Sequence, residues 1–309
     1  MLAPKVVVTG ASGYLGSHIF AALASKPYQL VGTVRAAADS SLWSSGDISA
    51  KTDWSEVLVG AEAVIHTANL AHRPQATARE YQRVNVEGTM KLARQALELG
   101  VKRFIFISSA SVYGEGSDYP YYEETPPAPV TDYGRSKAQA ESALLQLFKD
   151  SDANLFLLRL PMVVGTGAPG NFSRLVSLVE RGFYLPFGSI ANRRSLVGLE
   201  SVTSTIERCL TADAVGDTLF NVADAPVSTA EIIEGISEGL CKPTRLLPCP
   251  TQLFRLLFTL LGKSALTHKL LDSHYLNTDR VEQILGVSMA SDTKRVVASA
   301  LGQIGESNA

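Results

Sequence analysis

Thr9-Gly10-Ala11-Ser12-Gly13-Tyr14-Leu15-Gly16 is the stretch that decides the fold. The apolar run Val6-Val7-Val8 leads into it, and His18, Ile19, Phe20 and Leu23 follow at helical spacing. The pattern predicts a strand, a glycine-rich turn and a helix. Glycines at 10, 13 and 16 allow a tight turn, let backbone amides approach a pyrophosphate and let the helix pack closely on the strand. The spacing is G-x-x-G-x-x-G, not the G-x-G-x-x-G of the common dinucleotide fingerprint, and a bare glycine triplet also serves an ordinary tight turn. The strand before it and the helix after it favour the dinucleotide site.

Outward from this turn, strands and helices alternate. Gln29 to Val34 reads as a strand ending at Arg35, and Ala36 to Ser45 reads as a loop. Trp54 to Val59 reads as a short helix, and Ala63-Val64-Ile65-His66 as a buried strand closed by Thr67-Ala68-Asn69. Glu80 to Leu99 has helical periodicity and stops at Gly100. Phe104 to Ile107 is a strand that runs into Ser108-Ser109-Ala110-Ser111. A proline-rich loop, Glu123 to Val130, precedes a helix from about Tyr133 to Phe148, and Leu155 to Leu160 is a strand ending at Pro161. This alternation predicts an α/β fold, a Rossmann-type doubly wound parallel sheet. Past Gly165 the elements shorten. Residues 1–165 therefore read as an NAD(P)-binding domain, with a returning segment near 200–225 that includes Thr218 to Val222. Residues 166–309 read mainly as a smaller, interleaved C-terminal substrate domain.

The 309 residues are 46% hydrophobic and 19% charged, enough for a sizeable core, and the net charge of −2 argues against a nucleic-acid surface. Cys209, Cys241 and Cys249 are widely spaced and match no metal pattern, so they read as reduced thiols of a cytoplasmic protein. No metal site is expected. The longest apolar stretch, Leu253 to Leu261, contains Arg255 and is far short of the ~20 residues of a membrane span; it reads as a buried or capping helix that could also lie on a membrane.

Tyr133 and Lys137 are four apart on a predicted helix and so share a face. A phenol titrates near 10, and a neighbouring ammonium lowers that by favouring the phenolate. Ser109, at the end of a parallel strand, stands where sites form in open α/β sheets. A Tyr-x-x-x-Lys pair alone also fits a solvated helix face. Its place after a glycine turn, a serine-ended strand and a proline loop makes it a catalytic candidate.

With these pieces the chain resembles the extended short-chain dehydrogenase/reductases, the NAD-dependent epimerase/dehydratase family. The match rests on Thr9 to Gly16, Asp47-Ile48, Asn85-Val86-Glu87-Gly88-Thr89, Ser108 to Gly114, Tyr133-Gly134-Arg135-Ser136-Lys137 and Leu158-Arg159, in the family's order over most of the chain. The resemblance implies a catalytic Ser109, Tyr133 and Lys137 over a nicotinamide. It implies a cofactor cradle of Gly10, Ser12, Gly13, Tyr14, Leu15 and Gly16, with Asp47 and Ile48 at the adenine end. Thr67, Ala68, Asn69, Pro161, Met162 and Val163 complete that cradle, and Asn85 supports it from its helix.

Three departures narrow the expectation. Ser109-Ala110-Ser111 replaces the Thr-Asp-Glu of the family's dehydratases, which removes their acid and base. Arg35 stands where NAD users carry an acid, and a guanidinium fork suits a 2′-phosphate, so NADP is the expected cofactor and NAD the alternative. Met162 replaces an asparagine frequent in the sugar epimerases. Asn171-Phe172, Asn192 to Val197 and Asn277 to Gly286 resemble bacterial 4-ketoreductases acting on UDP-linked 4-keto-6-deoxy-N-acetylhexosamines of surface-polysaccharide pathways. That resemblance implies substrate contacts from Ser111, Asn171, Arg193, Arg194 and Lys269, with Arg194 on the diphosphate. The expected activity is NADP(H)-dependent reduction of a sugar-nucleotide 4-ketone; the alternative is an NDP-sugar 4-epimerase with tightly held NAD. A homodimer is compatible with either.

Overall fold

The computed structural model describes residues 3–36, 42–71, 73, 75–212, 219–250, 252 and 271–302. Its main strands are β1 (Lys5–Thr9), β2 (Gln29–Val34), β3 (Leu42–Ser44), β4 (Ala61–His66), β5 (Arg103–Ser109), β6 (Asn154–Leu160) and β9 (Leu219–Asn221). They form one parallel sheet in the order β3-β2-β1-β4-β5-β6-β9. Strand order reverses beside β1, with β2 on one side and β4 on the other. That reversal opens a crevice outside the carboxyl ends of β1 and β4, where open α/β sheets bind ligands. β7 (Met162–Val164) and β8 (Leu196–Gly198) make a separate parallel ladder.

Alternation along each strand divides the core between two faces. Val6, Val8, Ile65, Ile105 and Phe156 face the layer holding α1 (Tyr14–Leu23), α7 (Leu199–Thr211) and α9 (Asp279–Leu285). Val7, Val64, Phe104, Phe106 and Leu157 face the other layer, with α2 (Ser55–Leu58), α4 (Thr89–Glu98) and α5 (Asp132–Phe148). Fully burying a side chain such as Phe104 or Phe156 is worth ~1.5–3 kcal/mol, so β1 needs only its three valines to serve both layers. A third core joins α6 (Asn171–Glu180), α8 (Thr229–Gly239) and α10 (Thr293–Gly302) through Phe172, Val179, Ile232, Ile236 and Val297.

The elements differ from the sequence reading in two places. β3 lies within the stretch read as a loop; it is a three-residue edge strand paired with Gly32 to Val34, too short to show a period. The helix expected over 80–99 is three pieces. α3 (Ala78–Tyr81) starts in a capping box of Thr77 and Glu80, Gln82–Gly88 winds as a π-helix, and α4 continues from it. The winding follows from what it must reach. It carries Asn85 inward, and it brings Gly88 so close to the Ile48 side chain that no Cβ would fit.

Candidate active site

The glycine turn is built by exclusion. Gly10 has φ +70°, and a Cβ there would lie 2.9 Å from the Ala68 backbone. A Cβ at Gly16 would strike the Gly10 carbonyl, so α1 can approach β1 only without one. At Gly13 the turn opens outward; a Cβ there would meet only the Gly10 carbonyl, at 3.2 Å. Gly13 is also the N-cap of α1 and offers no side-chain cap, which leaves the helix's first amides to a ligand or solvent. The Thr67 hydroxyl donates to the Thr9 carbonyl at 2.6 Å and ties β4 to the turn.

Two buried polar atoms flank this turn without a partner among the described residues: Thr33 Oγ1 at the end of β2 and Asn69 Oδ1 beyond β4. Buried polar groups are normally paired. The bare helix start, the open Gly13 and these two atoms together fit an elongated, polar, anionic group such as a dinucleotide. Ser12 and Leu15 lie in the same turn and helix start. The Tyr14 hydroxyl, a third buried polar atom without a partner among the described residues, lies against Gly165 near Leu199, where burial pushes it up to about 12. At the outer edge Arg35 Nε lies 3.1 Å from Asp47 Oδ1, with both side chains mostly in solvent. Ile48 sits between this pair and the π-helix.

Ser109 ends β5. Its hydroxyl accepts from the Ser111 amide at 3.1 Å and lies 2.9 Å from the Ser111 hydroxyl, so Ser109 and Ser111 form one unit. Next to β5, Leu160 pairs with Ser109, which places Pro161, Met162 and Val163 directly beyond the same edge. α5 begins at a Thr131 cap that accepts from the Gly134 amide. Tyr133 lies in its first turn, with the Tyr81 ring edge-on at 6.3 Å. Lys137, one turn on, is fully buried; its Nζ donates to the Ile107 carbonyl at 2.7 Å and lies 4.4 Å from the Phe106 ring centre. Asn85 accepts from the Leu70 amide at 2.7 Å and donates to the Leu70 carbonyl and the Ser136 hydroxyl, each at 3.0 Å. The π-helix thus clamps the loop after β4 to the face of α5 that carries Tyr133.

The electrostatics differ from the expectation that Lys137 lowers the phenol. Burial pushes Tyr133 up to about 12, with the Ser109 hydroxyl drawing it back, and burial pushes Lys137 down to about 7, with Glu141 drawing it back. Desolvation disfavours both charged forms, and the ammonium is spent on the Ile107 carbonyl and the Phe106 face. In the protein alone Tyr133 is protonated at neutral pH.

The residues expected at the substrate are more dispersed. Arg194 pairs through its backbone with Val227 and His274, and its Nη1 donates to the Asp272 carbonyl at 3.1 Å. Arg193 is exposed, with its guanidinium 4.2 Å from the centre of the Tyr275 ring. Asn171 opens α6 after Gly170, whose φ is +83°. Lys269 lies outside the described residues. Segment 272–276 closes on the loop after Ser111: a Cβ at Gly116 would meet Asp272 and Ser273, and Tyr121 bridges to Leu276. His274, against Arg194 and the Gly114 backbone, is held neutral by burial, with a value near 4.

Sequence reasoning missed a group behind Ser109. Glu141 receives the Ser108 hydroxyl and three hydrogen bonds from Arg159, two from Nε and one from Nη2 at 2.6 Å. Arg159 also faces the Tyr113 ring at 4.6 Å, and the Tyr113 hydroxyl donates to Asn221 at 2.7 Å. The signal was present in part: Tyr133, Lys137 and Glu141 continue one spacing of four along α5.

A model of the NAD dependent epimerase/dehydratase family matches residues 6–223. The chain is 38% identical over 296 residues to a UDP-glucose 4-epimerase of Vibrio cholerae, covering 92% of this chain and 90% of that protein. It is 26% identical over 253 residues to the N-acetyl-alpha-D-glucosaminyl-diphospho-ditrans,octacis-undecaprenol 4-epimerase of Escherichia coli O157:H7, covering 80% and 76%. Among solved structures, MoeE5 in complex with UDP-glucose and NAD superposes with a TM-score of 0.80 at 23% identity, covering 99% and 100% of the two chains. That last likeness concerns the fold.

Proposed function

This chain belongs to the NAD dependent epimerase/dehydratase family, and on that premise we propose that it interconverts the C4 epimers of a UDP-linked hexose with NAD as cofactor. The observation that carries the reading is the 38% identity to a UDP-glucose 4-epimerase across nearly the whole chain. The relatives favour epimerisation over the reduction expected from Arg35 and Met162. The Ser109, Tyr133 and Lys137 arrangement serves both reactions, so it cannot by itself select between them.

The glycine turn, Thr33, Asn69 and the start of α1 would hold the dinucleotide, which when bound would supply reversible hydride exchange with C4 of the sugar. The protein's own part is proton movement. As the phenolate, Tyr133 takes the proton from the 4-hydroxyl of the sugar, becoming the phenol, and gives it back to the C4 oxygen when the ketone is reduced again. A phenol held near 12 is almost wholly protonated at neutral pH, so forming the phenolate needs added positive charge nearby. Lys137, one turn along α5 and titrating near 7, would supply it once its ammonium turns from the Ile107 carbonyl towards the phenol. Ser109 donates a hydrogen bond to the same sugar oxygen and fixes its position. Asn85, through Ser136, and Lys137, through Ile107, hold α5 in place against the ends of β4 and β5. Arg194 carries the diphosphate, a role taken from the resemblance and compatible with its half-buried guanidinium, held by the Asp272 carbonyl.

The test is conversion of UDP-glucose to UDP-galactose without added cofactor, followed by chromatography of the dinucleotide released on denaturation. Tyr133→Phe should lower kcat by ~10²–10⁴-fold, the usual contribution of a positioned proton-transfer group, while retaining the dinucleotide. Consumption of NADPH in step with a 4-keto sugar, with no epimer formed, would restore the reductase reading that Arg35 suggests.

A further inference from the structure

α6 ends at Glu180, and the chain leaves it through Arg181-Gly182-Phe183-Tyr184. Phe183 and Tyr184 are 54% and 64% exposed, and Leu247 on the neighbouring segment is 46% exposed. Backbone bonds join the two segments: the Leu185 amide donates to the Arg245 carbonyl at 2.8 Å, and the Leu247 amide to the Leu185 carbonyl at 2.9 Å. Arg245 lies 5.4 Å from the Tyr184 ring centre and donates to the Gly182 carbonyl; Lys242 donates to the Glu180 carbonyl. These partners are neutral carbonyls, so they do not cancel the cations' charge. Two aromatic rings, a leucine and the cations Arg181, Lys242 and Arg245 therefore share one exposed rim, which the proposed reaction does not use.

The two sequence stretches that carry this rim hold more base than acid, with Glu180 and Glu238 at their borders. From Leu240 to Leu271 there is no Asp or Glu, against Lys242, Arg245, Arg255, Lys263 and Lys269. From Asn171 to Ile190 the single acid Glu180 stands against Arg174 and Arg181. The run Leu253 to Leu261, too short to span a bilayer, falls within the acid-free stretch. We propose that this rim docks the protein peripherally on the surface of an anionic phospholipid bilayer. Aromatic rings settle at headgroup level, apolar side chains enter the acyl boundary, and each cation close to an anionic leaflet strengthens binding by about fivefold. The docking is superficial, since no helix among the described residues is long and apolar enough to cross a membrane. The inference is independent of the sugar and of the reaction.

The test is sedimentation of the full chain with phosphatidylcholine vesicles, with and without phosphatidylglycerol, over a range of salt. The expected result is binding to the anionic vesicles alone, weakening as salt rises. Phe183→Ala with Tyr184→Ala, and separately Arg181→Glu with Lys242→Glu, should each weaken it by about tenfold or more. All four positions are exposed, so melting temperature and activity on soluble substrate should stay at the wild-type level. Absence of binding by the wild type, or equal binding by both variants, overturns the proposal. So does a change in oligomeric state of the variants with no vesicle binding, which would assign the rim to contact between copies of the chain.

Discussion

Two arginine–carboxylate pairs border the candidate site, and they behave as opposites. Arg159 and Glu141 meet at 2.6 Å with each side chain 4% exposed; Arg35 and Asp47 meet at 3.1 Å with 69% and 73% exposed. The buried pair ties α5 to β6, and through the Ser108 hydroxyl also to β5, one residue from Ser109. The exposed pair ties only a loop to the end of β2. In water a charge pair is screened and gains little, whereas in a dry interior each charge depends on its partner. Arg159 and Glu141 therefore set geometry, while Arg35 and Asp47 remain free to exchange partners with a ligand.

The largest expected effect comes from halving the buried pair. Arg159→Met should cost ~3–5 kcal/mol of stability, because Glu141 is left buried without its counter-charge. Adding Glu141→Leu to it should recover part of that loss. Urea denaturation of these two and of Glu141→Leu alone measures it, and a double variant whose loss is the sum of the two single losses would show that the pair is not coupled. In the recovered double variant, kcat should remain low while KM for the sugar nucleotide changes little. Packing is restored there, but the link from α5 to Ser108 is not.

This contrast also explains what was legible beforehand. The valines of β1 face alternate layers, so a continuous apolar run, a glycine turn and the alternation of strands with helices were enough for the sheet. Ser109, Tyr133 and Lys137 were legible because a strand end and a spacing of four bring them together locally. Arg159 and Glu141 meet only across the α5–β6 packing, and no periodicity encodes that meeting. The π-helix was hidden for the same reason: its winding answers to Leu70 and Ser136, which lie outside it. Arg35 was read as a phosphate ligand from its position alone, and its engagement with Asp47 depends on a loop without a sequence signal. Reduction and epimerisation share one proton-transfer set, so the choice between them rests on the relatives.

A medium effect follows from pH, and it belongs to the buried side of the comparison. His66 bridges the Thr9 and Thr89 hydroxyls, and burial with nearby Lys137 pushes it down to about 3. His274 is pushed to about 4 by burial and Arg194. Both values lie below the 6.5 of an unfolded histidine. The unfolded chain therefore binds more protons as pH falls through 6.5, and stability declines in that window. The cost should be roughly 2 kcal/mol for each histidine at pH 5, by linkage. His66→Gln should flatten about half of the slope measured by denaturation between pH 7 and pH 5. An unchanged slope would mean that other groups carry the acid response. The exposed pair should contribute nothing visible to it.

The smallest effect on stability, and the sharpest on recognition, concerns Arg35. Arg35→Ala should move the melting temperature by less than about 2 °C, as expected for an exposed pair. Its effect should appear in cofactor choice instead. The guanidinium is held by Asp47, so releasing it and removing it should have opposite consequences. Asp47→Ala frees Arg35 for a 2′-phosphate and should tighten NADPH; Arg35→Ala removes the only charge of the pair that attracts that phosphate and should weaken NADPH by up to ~10-fold. NADH, which lacks the phosphate, should change little in Arg35→Ala. Fluorescence titration of both dinucleotides against the three proteins reads all of this. If Asp47→Ala weakens NADH and NADPH alike, Asp47 is a ligand of the adenosine end that both share, as the family resemblance implies, and its contact with Arg35 is incidental. If instead the two substitutions shift the NADPH to NADH ratio in opposite directions, the exposed pair is a restraint that biases the site towards NAD.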